Sequence, residues 1–95
     1  MLFNVVTYTF PADRADEAIA MLRELRAASL DEPGCLGYEI SRSVDDPCVV
    51  VLYEKWLDQM ALDRHYAEPH FVRLGVNGIR TFAQSRIANK TVPLD

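Results

Sequence analysis

Residues 49–53, the apolar run Val-Val-Val-Leu-Tyr, constrain the fold of this chain more than any other stretch. The run has the length of a β-strand and is far below the ~20 residues that a membrane-spanning helix needs. With its flanking residues it predicts a strand over 48–56 that is apolar on both sides, which is typical of a central strand whose two faces are covered. The sequence therefore predicts a sheet built around this strand and no membrane span.

Two further strands and a long helix are predicted before it. Residues 2–10 are rich in β-branched and aromatic side chains and end at Pro11, which indicates the first strand. Residues 13–31 repeat apolar side chains at helical spacing, and Asp13 is the predicted N-cap of that helix. Residues 35–43 alternate between apolar and polar side chains and predict the second strand. One face of that strand is predicted to carry Leu36, Tyr38 and Ile40.

The turn signal at residues 45–47, Asp-Asp-Pro, predicts a hairpin between the second and third strands. If Ser43 faces Cys48 in this hairpin, Cys35 lies opposite Trp56, because paired positions of a hairpin move apart in equal steps. The two cysteines are then too far apart for a disulfide. We expect reduced thiols, which is consistent with a cytosolic protein.

The last third of the chain contains two short helices and a final strand. Asp58 is the predicted N-cap of the first helix, and Pro69 is well placed to begin the second. Two glycines and Asn77 follow Leu74, and they predict that the second helix frays or ends there. The final strand is expected within residues 81–90, where polar side chains indicate an edge strand or one lining a polar cavity.

The resulting order is strand, helix, strand, strand, two short helices, strand. It predicts an α+β protein with a ferredoxin-like split βαβ arrangement, in which helices cover one face of a four-stranded antiparallel sheet. We expect one domain over 1–95, with a core at about 2–90 and a tail at 91–95. The other face of the sheet is apolar and uncovered, so a homodimer with the sheets face to face is predicted.

Composition excludes several other classes of protein. Hydrophobic residues make up 49% and charged residues 25%, as in an ordinary folded domain. The net charge of -4 and the pI near 5.0 give no basic footprint, so nucleic acid is not an expected partner. The N-terminus lacks the pattern of a secretion signal, and a cytoplasmic location is the expectation.

Several short motifs together resemble the antibiotic biosynthesis monooxygenase family of dimeric α+β barrels, and the similarity extends from Val5 to about Arg86. The motifs are residues 32–39 (Glu-Pro-Gly-Cys-Leu-Gly-Tyr-Glu), 45–47 (Asp-Asp-Pro), 53–56 (Tyr-Glu-Lys-Trp), 61–62 (Ala-Leu), His65 and 69–71 (Pro-His-Phe). The resemblance implies a ferredoxin-like protomer that pairs its sheet with a second copy. It also implies a small cavity between the sheet and the helices of each protomer.

Members of this family include cofactor-independent oxygenases of phenolic substrates, quinol oxygenases, haem-degrading oxygenases and an isomerase of a phosphorylated signalling molecule. The leading hypothesis is a cofactor-independent monooxygenase that oxidises a small dihydroxyaromatic or quinol with dioxygen. Such a substrate, once deprotonated, can reduce dioxygen, so the protein need supply only a base, orienting hydrogen bonds and a dry cavity. The alternatives are a non-catalytic barrel that binds a small aromatic ligand and a non-oxidative isomerase of the same fold.

His65 matches the helix histidine of the family and is the candidate base, since a neutral imidazole accepts a proton near pH 7. A histidine that completes a core hydrogen-bond network is the structural alternative. His70, which follows Pro69, is a second choice because a structural role at the helix start is favoured there. Trp56 is a candidate cavity wall that stacks on an aromatic ligand; a tryptophan at the end of a strand is most often part of the core, and the two roles are compatible.

The remaining candidates lie mostly on strands. Asn4 is an amide on an otherwise apolar face, and it must find a partner if it is buried, either a substrate oxygen or a backbone group. Arg86 is a candidate for neutralising an anionic substrate or for pairing with Glu39 or Glu54. The candidate phenolic donors, for which core or interface packing is the alternative, are Tyr8, Tyr38, Tyr53 and Tyr66.

No cofactor or metal is predicted. Two histidines and two separated cysteines do not form the compact ligand set that zinc or iron requires. Asn4, Trp56 and a histidine are similar to a set found in haem-degrading relatives, where the histidine ligates iron. The sequence after Trp56 departs from that subgroup, which disfavours haem degradation. The motifs for nucleotide binding, serine hydrolysis and thioredoxin-like chemistry are missing.

Overall fold

The computed structural model describes residues 1–95 and contains four strands and four helical segments. The strands are β1 (Leu2–Thr9), β2 (Cys35–Arg42), β3 (Val49–Trp56) and β4 (Ser85–Thr91). The helices are α1 (Ala15–Leu30), α2 (Gln59–Ala67), a π-helix (Phe71–Ile79) and the single turn α3 (Arg80–Phe82).

The sheet is antiparallel, with the strand order β2-β3-β1-β4. The predicted α+β, ferredoxin-like arrangement is confirmed. β3 is a central strand and β4 is an edge strand, also as predicted. β4 begins at Ser85, because residues 80–82 continue the preceding helix.

α1 begins one residue later than a cap at Asp13 would require. The N-cap is Arg14, which makes no capping hydrogen bond through its side chain, so the assignment of Asp13 as the cap is wrong. The reason is a turn before the helix, in which the Arg14 amide donates to the Pro11 carbonyl at 3.0 Å. The Arg14 side chain instead pairs with Glu17 and lies 4.0 Å from the centre of the Phe82 ring. One face of α1 is buried, at Ala15, Ala18, Leu22, Leu25 and Ser29.

The β2–β3 hairpin has a different register from the predicted one through most of its length. The Ser43 amide donates to the Val49 carbonyl at 2.9 Å, so Ser43 faces Val49 rather than Cys48. A bulge between Cys35 and Gly37 absorbs one residue, and Cys35 therefore does lie opposite Trp56. The same bulge places Leu36 half exposed, while Tyr38 is buried, so the prediction that these two share a face is wrong. Both cysteines are free.

The helical region after β3 confirms the predicted starts of two helices and overturns the predicted end of the second. The Asp58 carboxylate accepts from the Ala61 amide at 2.8 Å, and the chain re-enters helical structure at Pro69. The helix does not end near Leu74, however, but continues through Ile79 as a π-helix. Close packing explains the glycines in it, because a Cβ on Gly78 would lie 2.3 Å from Met21 Cε of α1. The burial of Leu74 and Ile79 offsets the low helix propensity of the glycines.

The core lies between the helices and one face of the sheet. That face, called here the inner face, carries the buried side chains of alternate strand residues, including Val6, Val50, Leu52 and Trp56. The opposite or outer face has no helix over it. It carries apolar and aromatic side chains that are half exposed, among them Leu36, Tyr53 and Ile87, together with polar ones such as Thr7 and Lys55.

Candidate active site

A small cavity lies between the inner face of the sheet and the helices. Its volume is about 10 Å³, enough for about one water molecule. Apolar side chains such as Leu52 and Phe71 form part of the wall. The polar groups in the wall come from β1, β2, β3, α2 and β4, and they are Asn4, Tyr8, Tyr38, Glu54, His65, Tyr66 and Arg86.

The strand side of the cavity is organised around Glu54. Asn4 on β1 is the cross-strand partner of Glu54 on β3, and both side chains point to the inner face. Trp56 follows on the same face two residues later, and its indole Nε1 donates to Glu54 Oε1 at 3.1 Å. All three residues are at most 3% exposed. A carboxyl group is therefore held in a largely apolar interior by an indole and an amide.

The environment raises the pKa of Glu54 from its ordinary value of 4.5 to about 7. Burial is the main cause, because it disfavours the charged carboxylate. The Trp56 indole, the Asn4 amide and the charge of Arg86 act in the opposite direction and limit the rise. Near neutral pH, Glu54 is therefore present in both protonated and ionised forms, which is the condition that suits a group transferring protons.

Arg86 and Tyr8 form the end of the cavity at β4. They are cross-strand partners, and Arg86 Nε donates to the Tyr8 hydroxyl at 3.3 Å. Arg86 forms no ion pair with Glu39 or Glu54; Glu39 pairs instead with Arg26 at 3.6 Å. Arg86 thus places a positive charge beside the cavity that no carboxylate in direct contact neutralises.

His65 closes the cavity from the helix side. It is 1% exposed, and its ring centre lies 4.6 Å from that of Trp56 and 4.9 Å from that of Phe71. Burial lowers the pKa of His65, although a hydrogen bond to Glu32 and the charge of that residue oppose the change. The imidazole is therefore neutral at pH 7, as a base requires.

Glu32 orients both histidines. Its Oε2 lies 2.8 Å from His65 Nδ1 and 2.7 Å from His70 Nε2. Gly34 makes this contact possible, because its backbone has φ 86° and passes so close to α2 that a Cβ would lie 2.6 Å from Ala61 Cβ. With Nδ1 engaged by Glu32, Nε2 is the nitrogen of His65 left to face the cavity.

The same three residues correct the expectation that no compact donor set exists. One ligand atom each of Glu32, His65 and His70 lies within 4.8 Å of the others, the spacing that a divalent cation can use. In the present geometry Glu32 Oε2 occupies the space between the two imidazoles and satisfies both directly. The three side chains therefore form a hydrogen-bonded chain, and a cation would have to displace both bonds.

The structure brings together most of the residues singled out from the sequence. Asn4, Tyr8, His65, Tyr66 and Arg86 all line the cavity. Trp56 lies behind the wall and contacts Glu54 and His65. His70 is outside the cavity, on the far side of Glu32.

Sequence reasoning missed Glu54 and Glu32 as site residues. Glu54 could have been found from the sequence. It shares a strand face with Leu52 and Trp56, so it is a charged residue on an apolar face, just as Asn4 is an amide on one. Glu32 carried no such signal: it is separated from His65 by 33 residues and from His70 by 38.

The fold and the site define a class: an α+β domain with an acid–base cavity enclosed between its sheet and its helices. The model of one family, antibiotic biosynthesis monooxygenase, matches residues 1–74. The chain belongs to this family. No helix in the structure is both long and apolar enough to cross a membrane.

Several solved and curated proteins are similar to this chain. A crystal structure described as an antibiotic biosynthesis monooxygenase superposes with a TM-score of 0.93 at 30% identity, over 100% of both chains. An isomerase of (4S)-4-hydroxy-5-phosphonooxypentane-2,3-dione from Yersinia enterocolitica is 26% identical over 77% of this chain and 76% of its own. An uncharacterized Synechocystis protein is 30% identical over 62% of this chain, which spans only 40% of that protein.

Proposed function

We propose that this protein is a cofactor-independent monooxygenase that oxidises a small dihydroxyaromatic or quinol with dioxygen. The observation that supports it most is the pairing of two proton acceptors, Glu54 and His65, on opposite walls of one enclosed cavity. Neither is strongly basic, so each can take up a proton and return it within one turnover near pH 7. Arg86 stabilises an anionic substrate beside them.

The proposed reaction converts a hydroquinone and dioxygen into a hydroxyquinone and water. Glu54 accepts a hydroxyl proton, and the resulting anion passes one electron to dioxygen. The semiquinone and superoxide combine through a new carbon–oxygen bond, and Glu54 returns its proton to the peroxide. His65 then takes the proton from the ring carbon as the oxygen–oxygen bond breaks, and the departing hydroxide leaves with that proton as water.

The dimensions of the cavity add a requirement. An aromatic ring is much larger than the space for about one water molecule, so substrate binding requires side chains at the wall to move. Tyr66 and Arg86 are the residues best placed to do so, because both are only partly buried, whereas Asn4, Glu54 and His65 are held in the interior. The reactive groups thus stay fixed while the entrance opens.

The test is oxygen uptake by purified, metal-stripped protein with a panel of quinols. We expect turnover in the wild type, a large loss in Glu54→Gln and in His65→Ala, and full activity in the matched control Glu17→Gln. Glu17 is exposed on α1, away from the cavity and from the outer face of the sheet. A rate no higher than that of buffer, or an undiminished rate in both site variants, contradicts the proposal. Saturable quinol binding without turnover favours the non-catalytic alternative.

A non-oxidative isomerase is the second candidate. The Yersinia enterocolitica relative, named as an isomerase, supports it. The same pair of groups supports it too, because moving a proton between carbons beside a carbonyl needs a base on one side and an acid on the other. An isomerase works equally well under argon, so an anaerobic assay with an α-hydroxyketone distinguishes the two candidates.

We also propose that the active form is a homodimer joined through the outer face of the sheet. Tyr53 on β3 is 53% exposed, and Ile87 on β4 is 59% exposed. Phe3 and Val5 lie between these strands on β1 and are also only half buried. A second copy of this face is the simplest surface that covers them, because contiguous exposed apolar patches mark interaction sites.

A further inference from the structure

A second, larger space adjoins the active-site cavity. It is an open cleft of about 490 Å³ between the helices and β4, lined by Tyr66, Phe71, Arg80, Arg86, Ala88 and Lys90. Tyr66, Phe71 and Arg86 also belong to the wall of the inner cavity. The cleft is therefore the outer compartment of the same site, and a ligand that reaches Glu54 past Tyr66 has its other end here.

The cleft is strongly cationic in an acidic protein. Its lining contains two arginines and a lysine and no carboxylate, although the chain has a net charge of -4. Four arginines elsewhere form ion pairs, whereas Arg80, Arg86 and Lys90 form none. Arg80 Nε is also buried without a hydrogen-bond partner. A buried donor without a partner costs stability unless a ligand satisfies it.

Each of the three cations lies near the face of an aromatic ring. The Arg80 guanidinium lies 5.3 Å from the centre of the Phe71 ring, and Lys90 Nζ lies 5.6 Å from that of Tyr66. The Arg86 guanidinium lies 5.9 Å from the centre of the Tyr8 ring. Contacts of this kind leave the three cations without a neutralising carboxylate, so their charges remain available to an anion.

We infer that this cleft binds an oxyanion substituent of the substrate, a phosphate ester or a carboxylate. Arg80, Arg86 and Lys90 hold the anion, and the rest of the molecule extends past Tyr66 towards Glu54 and His65. The substrate class is then a small aromatic compound with a phosphate or carboxylate at the end remote from the reacting carbon. The orientation of the substrate rests on the proposed function, whereas binding of the anion does not.

The experiment is a calorimetric titration of the whole protein with phenyl phosphate, with benzoate and with inorganic phosphate. The double variant Arg80→Gln/Lys90→Gln removes two cations from the cleft. The single variants Arg80→Gln and Lys90→Gln keep the experiment informative if the double variant fails to fold. Arg64→Gln is the matched control, because Arg64 is exposed on α2, forms no ion pair and lines no cavity. Unfolding midpoints of all variants check that each is folded.

We expect phenyl phosphate or benzoate to bind the wild type and Arg64→Gln equally, and each cation removed from the cleft to weaken binding about tenfold or more. Tighter binding of phenyl phosphate assigns the cleft to phosphate esters, and tighter binding of benzoate assigns it to carboxylates. Absence of binding, or equal weakening in Arg64→Gln, overturns the inference. Because no turnover is measured, an inactive protein that binds these anions contradicts only the proposed function.

Discussion

Each face of the sheet contains side chains that are unusual for its exposure. The inner face, buried under the helices, contains an amide and a carboxyl group, Asn4 and Glu54, that are 1% and 3% exposed. The outer face, which no helix covers, presents Leu36, Tyr53 and Ile87, each more than half exposed. Burying polar groups and exposing apolar ones both cost stability. We propose a chemical role for the inner arrangement and a partner for the outer one, and the two faces can be tested separately.

The largest effect is expected on the inner face. Replacing Glu54 by Gln keeps the size of the side chain but removes the proton acceptor, and general acid–base catalysis contributes roughly 10²- to 10⁴-fold. We expect kcat for quinol oxidation to fall within that range, with KM changed much less. Oxygen-electrode kinetics measure both, and Glu17→Gln provides the comparison. A kcat within a few-fold of the wild type shows that Glu54 is only a structural group.

The same carboxyl group makes stability depend on pH. Its folded-state pKa is about 7, above its ordinary value of 4.5, so the folded protein binds more protons than the unfolded chain between these values. Stability is fully present below pH 4.5 and falls as pH rises to about 7, by about 3 kcal/mol in total. Replacing Glu54 by Gln removes this fall.

Chemical denaturation at several pH values, at one protein concentration, measures the effect. The lowered pKa of His65 acts in the opposite direction. As pH falls below the ordinary histidine value of 6.5, the unfolded chain takes up a proton at this residue before the folded protein does, and stability decreases. Since His65 is present in both proteins, the difference between wild type and Glu54→Gln isolates Glu54. Parallel curves for the two proteins contradict the raised pKa.

The next effect concerns the outer face. Tyr53→Asp places a charge at the centre of the proposed dimer interface, where it would be desolvated without a partner. We expect the subunit dissociation constant to rise about tenfold or more while the chain stays folded. Val44→Asp, at a loop residue that is 98% exposed, is the control. Light scattering checks the mass against the 10.8 kDa of one chain. A wild type that is monomeric at micromolar concentration contradicts the proposed dimer interface.

The contrast between the faces also shows how much the sequence could predict. Strand alternation separated the residues of the two faces, because side chains in a strand alternate, and the order of the elements predicted that helices cover only one of them. The helical spacing of apolar residues identified α1, although not its cap, and Asp58 identified the start of α2. These inferences rest on neighbours a few residues apart in the chain.

What could not be predicted depends on contacts between distant segments. The bulge at Leu36 moves that residue to the outer face, and no local pattern distinguishes it from a regular strand. The π-helix persists past Leu74 because Gly78 packs against Met21, which is 57 positions earlier in the sequence. Glu32 joins the site only because the turn at Gly34 brings it against α2.

The smallest effect is expected at His70. Its size distinguishes residues that only contact Glu32 from residues that line the cavity. His70 contacts Glu32 but does not line the cavity, so His70→Gln keeps a hydrogen-bond donor near Glu32 and should change kcat less than about threefold. Glu32→Gln instead alters the partner that fixes the His65 ring, and second-shell partners of this kind contribute about 10- to 100-fold. Because Glu32 acts through His65, its loss should also shift the pH profile of kcat, which a merely structural role would leave in place. Equal losses in the two variants, with unshifted profiles, would mean that Glu32 and His70 support the helices rather than the chemistry, and the inner face would then rely on Glu54 alone.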